Sequence, residues 1–189
     1  GAPWPTHMLA TRAVFLSKDC NNTHNPMAYR TLKITSVIYR AALRLRQLQN
    51  WTEGWDDRAL HAGVPGKGAQ DAWGITAIEN EFNKLINQQI AGASIDVYKC
   101  FDQIVRPLIE SIAREAGMPP HILDTYMRFI NNMQIHYQRG TNIGVQHTDI
   151  CSIPQGCPFS MAMISLLIRP WIIKMRTLNL TPRCLADDL

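Results

Sequence analysis

Long apolar runs are missing from this 189-residue sequence. The longest, MAMISLLI (161–168), is far shorter than the roughly 20 residues a membrane-spanning helix needs. The opening residues do not read as a secretory leader, so none is expected. The five cysteines, Cys20, Cys100, Cys151, Cys157 and Cys184, form an odd set with no C-x-x-C pair. That argues against a disulfide framework or a structural zinc site, and it favours a reducing intracellular setting. Neither sign of charge dominates: 19 Lys and Arg stand against 15 Asp and Glu, a net charge of +4. Such a balance permits a polyanionic partner without demanding one. Repeats and low-complexity tracts are absent as well. What is present, 46% hydrophobic and 18% charged residues, is the composition of a globular chain long enough for one large or two small domains. The chain begins with Gly1 and stops without a closing element, so a fragment of a longer protein is expected.

Residues 1–30 are broken by Pro3, Pro5 and Pro26, which predicts loops with a strand around AVFLSK (13–18). From Thr35 the pattern becomes helical, with Val37, Ala41, Leu45 and Leu48 on one face and Arg40, Arg44 and Gln47 on another. The arginine face is expected to be solvated; the sharper alternative is a basic stripe beside nucleic acid. HAGVPGKGAQDAW (61–73) is glycine-rich but fails the phosphate-cradle pattern, because His61 stands where its first glycine belongs and Gly68 replaces Ser or Thr. It reads as a mobile loop. Ile75, Ile78, Phe82, Leu85 and Ile86 recur at helical spacing in 74–90.

GASIDVYKCFDQI (92–104) starts as a strand and passes into a helix that Gly117, Pro119 and Pro120 close. HILDTYMRFINN (121–132) is a further amphipathic helix, and 133–149 alternates about a Gly/Asn turn as a hairpin does. The segment 158–175 is helical, with Ser160 as a plausible N-cap and Pro170 expected to kink or end it. A last strand, TPRCLADD, closes the chain. Helices and strands mix without strict βαβ order, so the expected class is α+β.

Two adjacent carboxylates, Asp187 and Asp188, follow an apolar pair in CLADDL (184–189). In a regular strand they face opposite sides; a tight turn brings both to one rim. Close carboxylates repel unless a cation sits between them, and hard oxygen ligands suit Mg²⁺. An isolated DD reads as a solvated turn. A second acidic strand end changes that: Asp96 stands where a strand gives way to a helix, and Asp102 follows six residues later. If the two strands are neighbours, Asp96 and Asp187 meet at one edge. A third feature is CSIPQGCPFSM (151–161), where Gln155 precedes Gly156 between two prolines. It leads into a helix N-terminus, a natural partner for phosphate, or equally a junction that merely caps well.

In this order these residues resemble the reverse transcriptases, in particular those of retrotransposons without long terminal repeats and their group II intron relatives. The likeness runs from about Leu16 to Leu189. YRTLKITSVIYR (29–40) resembles the fingers segment R-P-I followed by Y-R or Y-K, and GWDDRALHAGVPGKGAQDA (54–72) a template-side loop ending in D-A. SIDVYKCFDQI is similar to the first palm motif, an Asp then K-x-F-D; SIPQGCPFSM to G-[IV]-P-Q-G-x-P-x-S-P; LADD to Y/F-A-D-D. The chain departs from these patterns at Thr31, Ser152, Met161 and Leu185.

The resemblance implies a right-hand polymerase, with fingers at 1–90 and an incomplete palm at 91–189. It implies a fingers-side insertion at about 117–150 and no thumb. The implied activity is RNA-directed DNA synthesis: nucleotidyl transfer to a primer 3′-OH with two Mg²⁺ ions, Mn²⁺ being a possible substitute. Asp96, Asp187 and Asp188 would be the catalytic carboxylates and would hold the metals with the main-chain carbonyl of Val97. Phe101 matches the steric gate against a 2′-OH. Arg30 matches the arginine that grips the triphosphate, Lys18 would assist, and Gln155 and Gly156 would line the nucleotide pocket. The implied partners are an RNA template, a DNA primer and deoxynucleoside triphosphates. No membrane is expected, and further domains of the same polyprotein would complete the enzyme. The piece alone is expected to be inactive, its terminal strand frayed for want of a partner. Two alternatives fit less of the pattern: a catalytically inactive nucleic-acid-binding remnant, and a viral RNA-copying polymerase.

Overall fold

The structure is a computed structural model that describes residues 3–18, 24–25, 28–43, 47–64 and 66–189. It is a mixed α+β fold built on one four-stranded mixed sheet of order β2-β1-β3-β4. The strands are β1 (Ala10–Ser17), β2 (Tyr29–Ile34), β3 (Gln134–Arg139) and β4 (Asn142–His147). β1 runs antiparallel to β2 and parallel to β3, and β3 pairs antiparallel with β4. Alternation explains the orientation of β1: Thr11 and Ala13 are buried, whereas Ala10 and Arg12 are exposed. The expected hairpin at 133–149 is β3–β4, turning at Gly140 (φ +59°).

The helices are α1 (Thr6–Leu9), α2 (Val37–Leu43), α3 (Gln47–Trp55), α4 (Ala69–Leu85), α5 (Cys100–Gln103), α6 (Arg106–Glu115), α7 (Pro120–Asn132) and α8 (Pro158–Thr177). Ala13 and Ile135 of the sheet share one core with Ile109 of α6, Tyr126 and Phe129 of α7 and Met163 of α8. Tyr39 of α2 stacks on Phe129 at 3.5 Å between ring centroids, and Trp4 meets both rings edge-on. Gly117 (φ +74°) ends α6, as its sequence position suggests.

Several local expectations are corrected. Val37 is exposed and Tyr39 is buried, so α2 presents a different face to the core. Arg44 and Leu45 lie outside the described residues, as do the side chains of Gln47 and Leu48. α4 starts earlier than expected, and its apolar stripe of Ile75, Ile78, Phe82 and Leu85 is exposed; no residue of this helix is buried. Cys157, not Ser160, caps α8, and the Ser160 hydroxyl donates to the Pro154 carbonyl at 2.7 Å. α8 also continues through Pro170 to Thr177. Pro170 lies on the exposed side of the helix, while Ile168 and Ile172 keep the other side in the core.

Candidate active site

The expected strand TPRCLADD is not formed as a regular strand; residues 184–189 are instead held by isolated backbone bridges. The Cys184 amide donates to the Ala59 carbonyl at 2.8 Å, and the His61 amide donates to the Cys184 carbonyl at 2.9 Å. The chain then turns: Leu185 and Asp188 exchange backbone hydrogen bonds of 2.8 and 3.1 Å around Ala186 and Asp187. Ala186 holds φ +58°, a left-handed conformation that costs an L-residue about 1–2 kcal/mol. Beyond the turn, Ile95 and Leu189 exchange two hydrogen bonds of 2.9 Å, and the Val97 amide donates to the Asp187 carbonyl at 3.1 Å. Segments 59–61, 184–185, 187–189 and 95–97 thus form a second, small ladder.

The register of this ladder decides which carboxylates meet. Ile95 and Leu189 form a hydrogen-bonded pair, so Asp96 and Asp188 form the adjacent non-hydrogen-bonded pair. In such a pair the side chains are closest and stand on one face. In the backbone register Asp96 therefore lies opposite Asp188, and Asp187, which the sequence paired with Asp96, stands one position away at the same edge. Asp187 lies opposite Val97, at the turn itself. Both Asp96 and Asp188 are exposed and Asp187 is half-buried.

Cys100 and Cys184 are buried. Burial, then the charges of Asp187 and Asp96, push the Cys100 thiol up to about 11. Burial, then Cys100, Asp187 and Asp188, push Cys184 up to about 12. Asp187 thus acts on both thiols. Both thiols remain protonated at neutral pH, and only thiolates alkylate readily. Iodoacetamide at pH 8 should label exposed Cys151 and spare Cys100 and Cys184, as peptide mapping of the native protein would show. Labelling of Cys100 at the rate of Cys151 would contradict this arrangement.

Lys99, in the left-handed region at φ +48°, turns the chain from the ladder into α5. The Val97 carbonyl accepts the Cys100 amide at 3.2 Å, which leaves one lone pair. Phe101 is half-buried against the core, and its carbonyl accepts the Ile153 amide at 2.9 Å. The loop from Asp149 to Cys157 is thereby held beside Phe101. At its other end, the Gln155 carbonyl accepts the Lys33 amide of β2 at 3.2 Å. Gly156 (φ +96°) packs so closely that a Cβ there would lie 3.3 Å from Leu32 Cδ1. Arg30, exposed, shares the strand face of Leu32. Lys18, also exposed, follows β1 directly, its amide donating to the Ala28 carbonyl at 2.8 Å.

The structure brings Asp96, Val97, Asp187 and Asp188 into one ladder, and it sets Phe101 beside the Gln155–Gly156 loop. Arg30 and Lys18 stand on the β1–β2 hairpin and connect to the ladder through that loop. Sequence reasoning missed Lys33, Asp149 and Arg106, which hold the loop. A signal existed for Lys33: in β2 it alternates with Arg30 and Leu32, in step with half-buried Thr31, on the strand side opposite exposed Arg30.

Among the described residues, no group of three or more His, Cys, Asp or Glu side chains forms a ready metal cage. Mg²⁺ does not require one, since it is usually held by one or two carboxylates together with substrate phosphates. The opposed pair of Asp96 and Asp188 is a donor set of that kind. No family model matches this chain, and no curated protein matches it.

Proposed function

We propose that the chain is the nucleotidyl-transfer core of an RNA-directed DNA polymerase, with residues 1–90 as fingers and 91–189 as palm. The observation that supports it most is the direct opposition of Asp96 and Asp188 beside a turn held at a left-handed alanine. Like charges at such a position lower stability, and a bound divalent cation reverses the effect. Asp96 and Asp188, with Asp187 and the Val97 carbonyl, would hold Mg²⁺. Bound there, Mg²⁺ supplies activation of the primer 3′-OH and neutralises charge on the departing pyrophosphate.

The remaining residues bind and orient. The Arg30 fork pairs with triphosphate oxygens, and Lys18 adds a point charge beside it. The Phe101 ring would exclude a ribose 2′-OH, which favours deoxynucleotides, and the Gln155–Gly156 backbone would form the opposite wall of the pocket. None of these groups serves as a covalent nucleophile; rate acceleration comes from position and from charge.

The test is primer extension by the polyprotein that carries this chain together with the further domains the resemblance implies, on an RNA template with an annealed DNA primer, with Mg²⁺ or with EDTA. Extension in Mg²⁺ and none in EDTA is the expected result. Salt-dependent binding of the primer–template with no extension in either condition would overturn the enzyme reading in favour of a binding remnant.

A further inference from the structure

Two cationic side chains are buried among the described residues, Lys33 and Arg106, and both hold the same loop. The Lys33 ammonium pairs with Asp149 Oδ2 at 2.5 Å and donates to Ser152 Oγ at 2.7 Å. The Ser152 hydroxyl donates to the same Asp149 oxygen at 3.2 Å, closing a three-membered network. From the opposite side, Arg106 Nε donates to the Ser152 carbonyl at 2.9 Å and Nη2 to the Cys151 carbonyl at 3.0 Å. Ser152 is itself held at φ +81°. Lys33 is buried and Asp149 half-buried, and such an ion pair is weak support for stability, because desolvation offsets much of its attraction. Two buried cations and one left-handed serine at a single loop therefore point to position rather than stability.

What that position controls is readable from the chain. Lys33 belongs to β2, three residues from Arg30. Its side chain fixes Asp149 and Ser152, and its own amide fixes Gln155. The loop so fixed carries Gly156 against Leu32. We infer that Lys33 is a positioning residue: through Asp149 and Ser152 it sets the Gln155–Gly156 wall at a fixed distance from Arg30, and so sets the width of the deoxynucleotide pocket. This rests on the polymerase reading of the site. Lys33 lies on the buried side of the sheet and acts on the substrate only through the loop.

The experiment compares the full protein with Lys33→Met, Lys33→Arg and the double variant Lys33→Met/Asp149→Leu. Steady-state primer extension, thermal melting and hydrogen exchange of the amides at 152–156 are measured for each. Lys33→Met should raise KM for deoxynucleotide about tenfold while kcat changes by less than about twofold, and it should speed exchange at 152–156. Lys33→Arg keeps the charge and should recover most of the KM. The double variant replaces the pair with apolar groups, so its melting temperature should return towards the parent while KM stays high. Recovery of KM together with melting temperature would overturn the inference, because the pair would then be a packing element alone. Unchanged exchange at 152–156 in Lys33→Met would overturn it too. If the parent itself extends no primer, the polymerase reading fails, and the exchange measurement still decides whether Lys33 fixes the loop.

Discussion

In EDTA, Asp188→Asn is expected to melt about 1–3 °C above the parent, and in Mg²⁺ to extend no primer. The two effects have one origin. Asp96 and Asp188 are cross-strand neighbours in a non-hydrogen-bonded pair, where side chains approach most closely. Like charges there disfavour the fold by about 0.2–1 kcal/mol, and a chain of this length shifts its melting temperature by about 2–4 °C per kcal/mol. Asparagine is nearly isosteric and removes the repulsion, but it also removes an anionic oxygen from the pair. Since both side chains are exposed, salt should screen the gain, and in 1 M NaCl most of it should vanish. Mg²⁺ should raise the melting temperature of the parent more than that of the variant, because only the parent offers two opposed carboxylates. Asp96→Asn should behave alike. A variant that extends primers at the parental rate would remove Asp188 from the catalytic group, and one that melts lower in EDTA would remove the repulsion.

Gly63→Ala should be the most destabilising single methyl addition in the segment between α3 and α4. Gly63 holds φ +69°, and a Cβ there would lie 2.6 Å from the Met161 carbonyl carbon and 2.7 Å from the Ala162 nitrogen. Those atoms belong to the backbone of α8, which cannot move aside as a side chain could. The left-handed conformation costs about 1–2 kcal/mol and the clash about 1–3 kcal/mol more. A fall of roughly 6–12 °C in melting temperature follows for a loss of about 3 kcal/mol. Gly66→Ala is the control: its φ is similar, +77°, but nothing lies within 4 Å. It should lose only the conformational part. Equal losses at the two positions would refute the close approach to α8. Next to Gly63, the Ala62 carbonyl accepts the Ser165 hydroxyl at 2.6 Å, and the His61 amide pairs with Cys184. Displacing this loop therefore disturbs the strand that carries the carboxylate turn.

Local signals in the sequence were reliable where the physics was local. Gly140 turns the β3–β4 hairpin, Gly117 ends α6, and the mostly apolar segment from Phe159 to Ile172 forms a core helix. The periodicity of α4 gave the helix but said nothing of what covers its stripe, since burial is a property of neighbours. Which carboxylate meets Asp96 was also hidden. It depends on a two-residue turn with alanine at positive φ, and alanine gives no turn signal of the kind glycine or asparagine would. Lys33 was passed over for a similar reason. A lysine in a strand is ordinarily solvated, and only the fold brings Asp149 and Ser152 to it. The position of Ser152 shows the converse. The motif it resembles has glycine there, and its φ of +81° supplies a physical reason for that preference.

The small ladder has a consequence for the order in which the molecule assembles. Its four segments, at 59–61, 95–97, 184–185 and 187–189, come from distant parts of the chain. No two of them are joined by a tight turn except the last pair. Long chain loops must close before these hydrogen bonds can form, and that entropy is lost before any contact repays it. The β1–β2 and β3–β4 hairpins and the α6–α7 pair need no such closure. The carboxylate cluster is therefore expected among the late contacts, so Asp188→Asn should change the rate of unfolding and leave the rate of refolding nearly untouched, as stopped-flow measurement of both would check.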